Sequence, residues 1–318
     1  MQKIVILGAT SHIAKGLICN FNRLRKDELY LFARSVDSLK AFVDSAQCEG
    51  KVYLKEFGEF NDVDYDIIIN CIGINSSVNI KDKLPFFFRL TETFDNLILD
   101  YQENHPDTLY INLSSGAAYG TDFSKPAYGS TCSKWDINNI SESDYYGIAK
   151  LNSEAKHRAL QNLNIVDLRI FGYFSRFANL DSKFLLTEII SCIKEGREFV
   201  TGSDNITRDY IHPKDLHSLI EKCIEKHKVN DVFDAYSLKP VTKFEILEYF
   251  SKGHGLKYIV EDDVKKSAIT GAKNDYYSNN KKAGQIGYIP EFDSIDCIMQ
   301  ESKYILKEKK SGLFISED

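Results

Sequence analysis

The sequence predicts an α/β protein, in which a doubly wound parallel sheet of the Rossmann type is joined to a smaller C-terminal α/β lobe. In the first half of the chain, short apolar runs alternate with amphipathic stretches at the spacing that right-handed βαβ crossovers require. After residue 172 this alternation becomes irregular, which indicates a second architecture. We therefore expect a first domain over residues 1–172 and a lobe over residues 173–318, with residues 208–236 returning to the first domain.

Apolar runs rich in β-branched residues predict the strands of the first domain, since strands of a parallel sheet are buried on both faces. These strands are Lys3–Leu7, Glu28–Ala33, Lys51–Glu56, Asp66–Cys71, Leu109–Leu113 and Ile165–Phe171. Apolar residues at helical spacing predict the helices of the same domain. These helices are Ile13–Leu24, Phe86–Glu103 and Asp144–Leu163.

The lobe shows helical spacing in three stretches and extended character in two. The helices are Phe184–Glu195, Asp215–Lys228 and Thr242–Lys252, and the extended segments are Arg208–His212 and Val232–Tyr236. Thr242 and Glu245 have the spacing of a capping box, which predicts where the third helix begins.

Composition and charge exclude several classes of function. The net charge of the 318 residues is −6, whereas a nucleic-acid-binding protein usually carries a basic face. The seven cysteines are scattered singly, without the spacing of a zinc site or a disulfide framework, so we expect reduced thiols and no metal. No stretch has the roughly 18 apolar residues that span a bilayer, and the N-terminus lacks a secretory signal. We therefore expect a cytoplasmic protein with no nucleic-acid or membrane partner.

The turn after the first predicted strand has the features of a phosphate-binding loop. Gly8 and the small residues that follow it let the backbone approach a ligand before the helix begins. A dinucleotide pyrophosphate would bind there, at backbone N–H groups of the helix N-terminus. The residues expected to contact the dinucleotide are Gly8, Thr10, Ser11, His12 and Ile13, with Cys71 and Gly73 after the fourth predicted strand. Because glycine after a strand is common, a plain βα turn is the alternative.

The end of the second predicted strand indicates which dinucleotide binds. An NAD-binding domain typically has an acidic residue here that accepts a hydrogen bond from the ribose. This chain has Arg34 followed by Ser35 instead. A guanidinium forms charge-assisted, bidentate bonds with a phosphate, and the serine hydroxyl can assist. We therefore expect NADP as the cofactor and regard NAD as the weaker candidate, while a solvated surface arginine is the structural alternative.

Tyr146 and Lys150 are four residues apart in a predicted helix, so they share one face about one turn apart. This spacing lets an ammonium group sit near a phenol. Ser114 and Ser115 follow a strand predicted for the parallel sheet, and the carboxyl ends of such strands form the ligand crevice.

Four segments of the chain, taken together, resemble the extended short-chain dehydrogenases/reductases. Ser114 to Gly120 is similar to their SSxxxYG segment, and Tyr146 to Glu154 to their YGxxKxxxE helix. Arg208 to Leu216 (RDYIHPKDL) is similar to their RDYIHVxDL segment, and Asn279 to Pro290 (NNKKAGQIGYIP) to a stretch near their C-terminus. The four occur in the family's order across most of residues 3–290.

The resemblance implies a catalytic set of Ser115, Tyr146 and Lys150. Tyr146 would exchange a proton with the reacting carbinol, and Ser115, with Ser114 as the alternate, would hydrogen-bond the same oxygen. Lys150 would lower the pKa of Tyr146 and bind the nicotinamide ribose. Arg208 would bind the pyrophosphate of a nucleotide-linked sugar, unless it is paired with Asp209 or Asp215.

His212 lies in the same segment as Arg208, and we expect it to pack or to cap a helix rather than to catalyse. The resemblance also implies a homodimer, in which the helices Phe86–Glu103 and Asp144–Leu163 would form the interface, although a buried face within the chain explains the apolar Phe86, Phe87 and Phe88 equally well.

The chain departs from the family pattern at several positions. Ser11 and Ala14 replace two glycines of the phosphate-binding turn, and we expect Ser11 to have ordinary backbone angles. Gly116 and Ala117 stand where related dehydratases have an acid–base pair, and Ala117 also replaces a cysteine of related epimerase/reductases. Gly172 replaces an asparagine that contacts substrate in relatives.

These departures exclude dehydration and leave two reactions. The first is NADPH-dependent reduction of a 4-keto(-6-deoxy) nucleotide sugar, of the kind used to make surface polysaccharides such as lipopolysaccharide. The second is C4 epimerisation of a nucleotide sugar with tightly bound NAD. A dinucleotide-sensing protein without catalysis is a third possibility, because a fold alone does not prove function.

Overall fold

The computed structural model describes residues 1–73, 80–226, 228–262 and 273–307. Its strands are β1 (Lys3–Leu7), β2 (Glu28–Phe32), β3 (Val52–Lys55), β4 (Ile67–Asn70), β5 (Leu109–Ser115), β6 (Ile165–Ile170), β7 (Phe199–Thr201), β8 (Thr207–Arg208), β9 (Asn230–Ala235), β10 (Val241–Thr242), β11 (Tyr258–Val260) and β12 (Asp275–Tyr276). Its helices are α1 (His12–Leu24), α2 (Val36–Ser45), α3 (Ile80–Asn104), α4 (Tyr145–Ala159), α5 (Leu185–Glu195), α6 (Pro213–Glu225), α7 (Lys243–His254) and α8 (Ser294–Lys307).

Seven parallel strands form the central sheet in the order β3-β2-β1-β4-β5-β6-β9. The chain runs outward from β1 to one edge and then from β4 to the other, so the strand order reverses between β1 and β4. This arrangement confirms the predicted fold class. The seventh strand, β9, comes from residues beyond 172 and pairs with β6 along its whole length.

Both faces of the sheet are covered by helices, and side chains alternate between the two faces along each strand. In β1, Ile4 and Ile6 belong to the core shared with α1, α2 and α6. Val5 and Leu7 belong to the opposite core, which includes residues of α3 such as Ile98. Burial on both faces explains the unbroken apolar runs that predicted these strands.

The lobe has its own core, made by the apolar faces of α5, α7 and α8. It also carries two small sheets, β11-β7 and β10-β8-β12. In the second of these, Tyr276 of β12 lies opposite Arg208 of β8. Among the described helices none is long and apolar enough to cross a membrane.

Most predicted elements agree with the structure to within a few residues, and Thr242 with Glu245 does form the capping box that begins α7. Helices α2 and α8 and the short strands β7, β10, β11 and β12 were not predicted. Helix α2 is only ten residues long and contributes just Leu39 and Phe42 to the buried core, so its apolar face is short. The two-residue strands pair with distant segments and have no local pattern of their own.

A buried polar network joins α3, α4 and β6. The ring of His157 is fully buried, with Nε2 2.7 Å from Oδ1 of Asp95 and Nδ1 2.9 Å from Oδ1 of Asp167. Lys156 and Arg158 form the outer ion pairs of the same two carboxylates. These carboxylates outweigh the effect of burial and raise the pKa of His157 to about 9. The imidazole is therefore charged at neutral pH and links the helix of Tyr146 and Lys150 to its neighbours.

We predict that His157 makes the stability of the protein depend on pH. Its pKa in the folded protein is raised above the ordinary value of 6.5, so the stabilisation is complete below pH 6.5 and is lost as the pH rises through about 9. The loss amounts to about 3 kcal/mol in the free energy of unfolding. Urea unfolding of the wild type and of His157→Gln across this range measures it, and the variant should be less stable and show a flatter dependence.

His105→Gln is the matched control, since His105 pairs with Asp64 at the surface, where ion pairs contribute little. The wild-type pH dependence should persist in this variant. Equal slopes for wild type and His157→Gln would contradict the prediction.

Candidate active site

The turn between β1 and α1 requires its glycine. Gly8 has a φ of +70°, and a Cβ there would lie 3.1 Å from the carbonyl group of Cys71. Ser11 has φ −70° and ψ 153°, which are the ordinary angles expected for it, and it is the N-cap of α1. Its Oγ accepts a hydrogen bond from the Ala14 N–H at 3.3 Å. The N–H groups of His12 and Ile13 in the first helical turn have no acceptor within the helix and remain available to an anion.

The side chain of His12 is packed against the protein rather than charged. Its ring stacks on Tyr173 with 5.2 Å between the centroids. Burial lowers the pKa of His12 to about 4, so the imidazole is neutral at physiological pH. His12 would therefore contact a phosphate through its backbone N–H rather than through a cationic ring.

The end of β4 lies beside this turn. The Cys71 N–H donates to the Leu7 carbonyl at 3.0 Å, so Cys71 and Gly8 lie at the same edge of the sheet. Burial raises the pKa of the Cys71 thiol, which keeps it neutral. Gly73 and Thr10 are exposed at this edge, as residues that border a ligand crevice would be.

Arg34 and Ser35 lie just beyond the end of β2. Both are exposed, and within the described ranges Arg34 has no hydrogen bond or ion pair. The Ser35 Oγ accepts from the Ser38 N–H at 3.2 Å and caps α2. The guanidinium is thus free to contact a phosphate, whereas the serine hydroxyl already has a structural partner.

Ser115 and Lys150 lie at the carboxyl end of β5, and Tyr146 lies beside Lys150 on α4. Ser115 is the last residue of β5, and the Lys150 Nζ donates to the Leu113 carbonyl of the same strand at 2.8 Å. The same Nζ is 5.9 Å from the ring centroid of Tyr146. Helix α4 can approach the turn after Ser115 because residue 147 is a glycine and has no side chain. A Cβ at this position would lie only 2.5 Å from the Ala117 carbonyl oxygen. The glycine after Tyr146 thereby sets how close the helix comes.

The residues after Ser115 have no proton-transferring group. A Cβ on Gly116 would lie 2.4 Å from the ring of Phe171, so this ring fills the space of any side chain there. Ala117 is buried. The acid–base pair of a dehydratase is therefore absent from positions 116 and 117, in agreement with the sequence.

The side chain of Ser114 belongs to a buried hydrogen-bond network that does not include Ser115. Its Oγ donates to Oε1 of Glu154 at 2.5 Å. Glu154 also accepts from Nε and Nη2 of Arg169. The hydroxyl of Ser114 thus positions α4 on the sheet, and Ser115 is the serine left to face a ligand.

Arg208 has no carboxylate partner among the described residues. Its Nη1 donates to the carbonyl oxygens of Thr207 and Asn274. Asp209 accepts instead from Ser237 and Ser294, and Asp215 from the backbone of residues 291 and 292. The charge of Arg208 is therefore uncompensated by the two acids considered as its partners, which leaves it for an anionic ligand.

His212 has the structural role that we expected. Its Nδ1 accepts from the Lys214 N–H at 3.1 Å and caps α6, while its ring stacks on Phe292. Burial lowers its pKa to about 4, so the ring is neutral.

Two residues of the site were missed in the sequence. The Tyr276 hydroxyl lies 3.2 Å from the Ser115 Oγ. The ammonium of Lys273 lies 4.3 Å from the centroid of the Tyr276 ring, and Lys273 is 6% exposed. Burial, together with the charge of Arg208, lowers the pKa of Lys273 to about 8. Tyr276 lies three residues and Lys273 six residues before Asn279, where a segment that resembles the family begins. This proximity is the signal in the sequence that would have identified them.

The replacement of asparagine by Gly172 also has a structural reason. A Cβ at this position would lie 2.4 Å from the Asp209 carbonyl oxygen, and the Gly172 carbonyl accepts from the Ile211 N–H. The segment that carries Arg208 therefore passes where a side chain would otherwise extend.

The part of the chain that the structure describes has no cluster of three or more His, Cys, Asp or Glu residues suited to a metal ion. A nicotinamide dinucleotide fits the groups that are present. The left-handed Gly8, the N–H groups of His12 and Ile13 and the open edge at Gly73 would hold its pyrophosphate.

Comparisons with known proteins identify the family and the fold. The model of the NAD-dependent epimerase/dehydratase family matches residues 4–238. No curated protein matches the chain. Among solved structures, a UDP-glucose-4-epimerase from Stenotrophomonas maltophila with bound NAD has a TM-score of 0.80 at 13% identity, over 95% of this chain and 97% of that one.

Two further structures are similar over comparable lengths. A UDP-N-acetylglucosamine 4-epimerase from Methanobrevibacter ruminantium M1 has a TM-score of 0.78 at 16% identity, over 96% of this chain and 98% of that one. A dTDP-glucose 4,6-dehydratase from Bacillus anthracis, in complex with NAD, has a TM-score of 0.74 at 16% identity, over 95% and 96%. At these identities the likeness establishes the fold.

The family match spans the whole central sheet and agrees with the sequence motifs of an extended short-chain dehydrogenase/reductase. The family is described as NAD-dependent, so a nicotinamide dinucleotide is the cofactor that this membership implies. The chain is therefore a member of the NAD-dependent epimerase/dehydratase family.

Proposed function

We propose that this protein reduces the C4 ketone of a 4-keto(-6-deoxy) nucleotide sugar with NADPH, in the cytoplasm, as a step towards a surface polysaccharide. The observation that carries the proposal is the placement of Ser115 and Lys150 at the end of β5, with Tyr146 beside Lys150, next to positions 116 and 117 that carry no acid or base. This set of residues suits a reaction in which a hydride and one proton are transferred and no water is eliminated.

Each of the three residues has a separate task in the proposed reaction. The bound nicotinamide supplies the hydride to the ketone carbon. Tyr146 gives its phenolic proton to the ketone oxygen, and Ser115 donates a hydrogen bond to the same oxygen. Lys150, held by the Leu113 carbonyl, places its ammonium near the phenol and favours the negative charge that Tyr146 gains.

Uncompensated cations support an anionic substrate. Arg208 and Lys273 lie near the Tyr276 ring, and neither has a carboxylate partner in the described ranges. A nucleotide sugar carries a diphosphate that suits these two charges. The similar structures named above include proteins whose own ligands are UDP-linked sugars.

The preference for NADP rests on Arg34. The residue is exposed beyond β2 without a partner among the described residues, and the strand ends without an acid that would repel a 2′-phosphate. Similar structures contain NAD. Under this proposal, the chain differs from them at the adenosine end of the site.

C4 epimerisation with tightly bound NAD is the second candidate, because it uses the same three residues and two of the similar proteins are 4-epimerases. A dinucleotide sensor without catalysis is disfavoured, since it would have no use for Tyr146 and Lys150 in this geometry.

A homodimer through α3 and α4 also belongs to the proposal. Lys156 of α4 contacts Asn96 of α3, so the two helices share one face, and Phe86 of α3 is 53% exposed.

The function is tested with purified protein, NADPH and a panel of 4-keto-6-deoxy nucleotide sugars. We expect the absorbance of the reduced nicotinamide to fall in proportion to the 4-hydroxy sugar formed. NAD that survives purification, with interconversion of C4 epimers and no net change in absorbance, identifies the epimerase instead. No change with any member of the panel, in either assay, would contradict both enzymatic functions.

We predict that Tyr146→Phe abolishes turnover and leaves cofactor binding unchanged, because only the proton relay is lost. The single tryptophan offers a direct binding signal, since its ring would meet a Cβ on Gly147 at 2.7 Å and therefore lies beside the catalytic helix. Energy transfer from Trp135 to NADPH measures the dissociation constant. Tyr145→Phe, at the neighbouring phenol, is the matched control and should retain activity. A rate for Tyr146→Phe above about a tenth of wild type would exclude the assigned role.

We predict that Arg34→Asp weakens the binding of NADPH and has little effect on NADH, because the carboxylate repels the 2′-phosphate. The change should be about tenfold or more in the ratio of the two dissociation constants. Arg23→Asp, which makes the same change of charge at the exposed C-terminal end of α1, is the control for long-range electrostatics. An equal loss for both cofactors would show that Arg34 does not contact the adenosine end.

A further inference from the structure

The hydrogen bonds of Ser115 point to a task for Tyr276. We propose that Tyr276 is a positioning residue, whose phenol donates to the Ser115 Oγ and thereby turns the serine proton towards the reacting oxygen. The inference rests on the proposed oxidoreduction at C4 and adds a residue to it.

A serine hydroxyl has one proton to donate and two lone pairs that accept. The Ala117 N–H, which can only donate, fills one lone pair of the Ser115 Oγ at 3.2 Å. The Tyr276 hydroxyl is the other partner, also at 3.2 Å. When Tyr276 donates, both lone pairs are filled, and the Ser115 proton has to find an acceptor elsewhere. The ketone oxygen above Tyr146 is such an acceptor.

The surroundings of Tyr276 favour this direction of donation. Burial raises the pKa of the Tyr276 phenol, so it keeps its proton throughout the physiological range. Among the described residues, Ser115 is the only hydrogen-bond acceptor for that proton. If Ser115 donated to Tyr276 instead, the phenolic proton would have no protein acceptor and the substrate would lose a donor.

The position of the phenol is fixed by its ring and backbone. The ring packs edge-on against Phe123, with 4.7 Å between centroids, and lies 5.2 Å from Phe171. Lys273 lies over its face. The backbone of β12 pairs with β8, and the Asp275 N–H donates to the Phe123 carbonyl at 2.9 Å. A side chain packed against two rings and an ammonium group can hold the hydroxyl that it contacts.

This contact connects the two parts of the molecule through the chemistry. Ser115 belongs to the central sheet, while Tyr276 belongs to the small sheet that also carries Arg208. The segment that is suited to bind the anionic end of the substrate therefore also sets the direction in which the catalytic serine donates. Tyr276 transfers no proton itself, so its contribution is expressed only through Ser115.

A double-mutant cycle tests this dependence. Tyr276→Phe keeps the packed ring and removes the hydroxyl, and we expect kcat to fall about tenfold with little change in KM. Ser115→Ala should lower kcat further. If Tyr276 acts through Ser115, adding Tyr276→Phe to Ser115→Ala should change the rate less than about twofold. Multiplicative losses in the double variant would overturn the proposal. Tyr277→Phe, at the next phenol, is the matched control and should resemble wild type.

A second measurement needs neither substrate nor turnover. The measurement is the NMR spectrum of protein labelled with ¹³C at the Cζ atoms of its tyrosines. The resonance that disappears in Tyr276→Phe belongs to Tyr276, and its chemical shift reports the hydrogen bond of the phenol. Ser115→Ala should move this resonance while the melting temperature of the protein stays close to wild type. An unmoved resonance would overturn the contact itself. Absence of turnover in the wild type would contradict the proposed function, whereas altered turnover without coupling in the cycle would contradict only the role of Tyr276.

Discussion

The buried ion pair between Glu154 and Arg169 is the interaction on which the geometry of the site depends. Glu154 is one turn beyond Lys150 on α4, and Arg169 is on β6. The carboxylate accepts from Nε and Nη2 of the guanidinium and also from Ser114, the residue before Ser115. One carboxylate therefore fixes the catalytic helix to the ends of two strands. Removing Arg169 would leave the buried Glu154 carboxylate without its counter-ion, a change that typically costs about 3–5 kcal/mol.

The same guanidinium extends the network to the segment after β12. Arg169 lies over the ring of Tyr119, and the Tyr119 hydroxyl donates to Asp234 at the end of β9. Asp234 also accepts from Ser278, which lies two residues beyond Tyr276. Position is thus transmitted from α4, through buried hydrogen bonds and one cation–π contact, to the segment that follows the phenol facing Ser115. Each of the hydrogen-bond donors named in this network has an acceptor, so the network is rigid. An active site needs such rigidity, because small changes of geometry lower its rate.

Features that depend on residues close together in the sequence could be predicted, whereas features that depend on contacts between distant residues could not. The strand β1 and the Tyr146–Lys150 spacing are local patterns, and they predicted a buried parallel strand and a shared helix face, whereas the catalytic set was inferred from a family resemblance. Gly172 and Gly116 were recognised only as departures from a family pattern. Their cause is a contact with Asp209 and Phe171 respectively, which lie apart in sequence and meet only in the folded chain. Tyr276 was missed for the same reason, since its significance comes from a residue 161 positions away.

The distribution of charge is compatible with the two anionic ligands proposed for this acidic chain. Most buried or half-buried arginines here are neutralised by carboxylates, as Arg25, Arg169 and Arg176 are by Glu221, Glu154 and Glu301. Arg34, Arg208 and Lys273 differ, because none of them has a carboxylate partner in the described ranges. The local potential at each end of the crevice is therefore positive although the net charge is −6. Lys273 is buried and Arg208 is half-buried, so water screens their charges less than it screens the charge of the exposed Arg34. Specificity for a particular anion then depends on where these few charges lie, and the approach of β12 to β8 places two of them beside the proposed reacting centre.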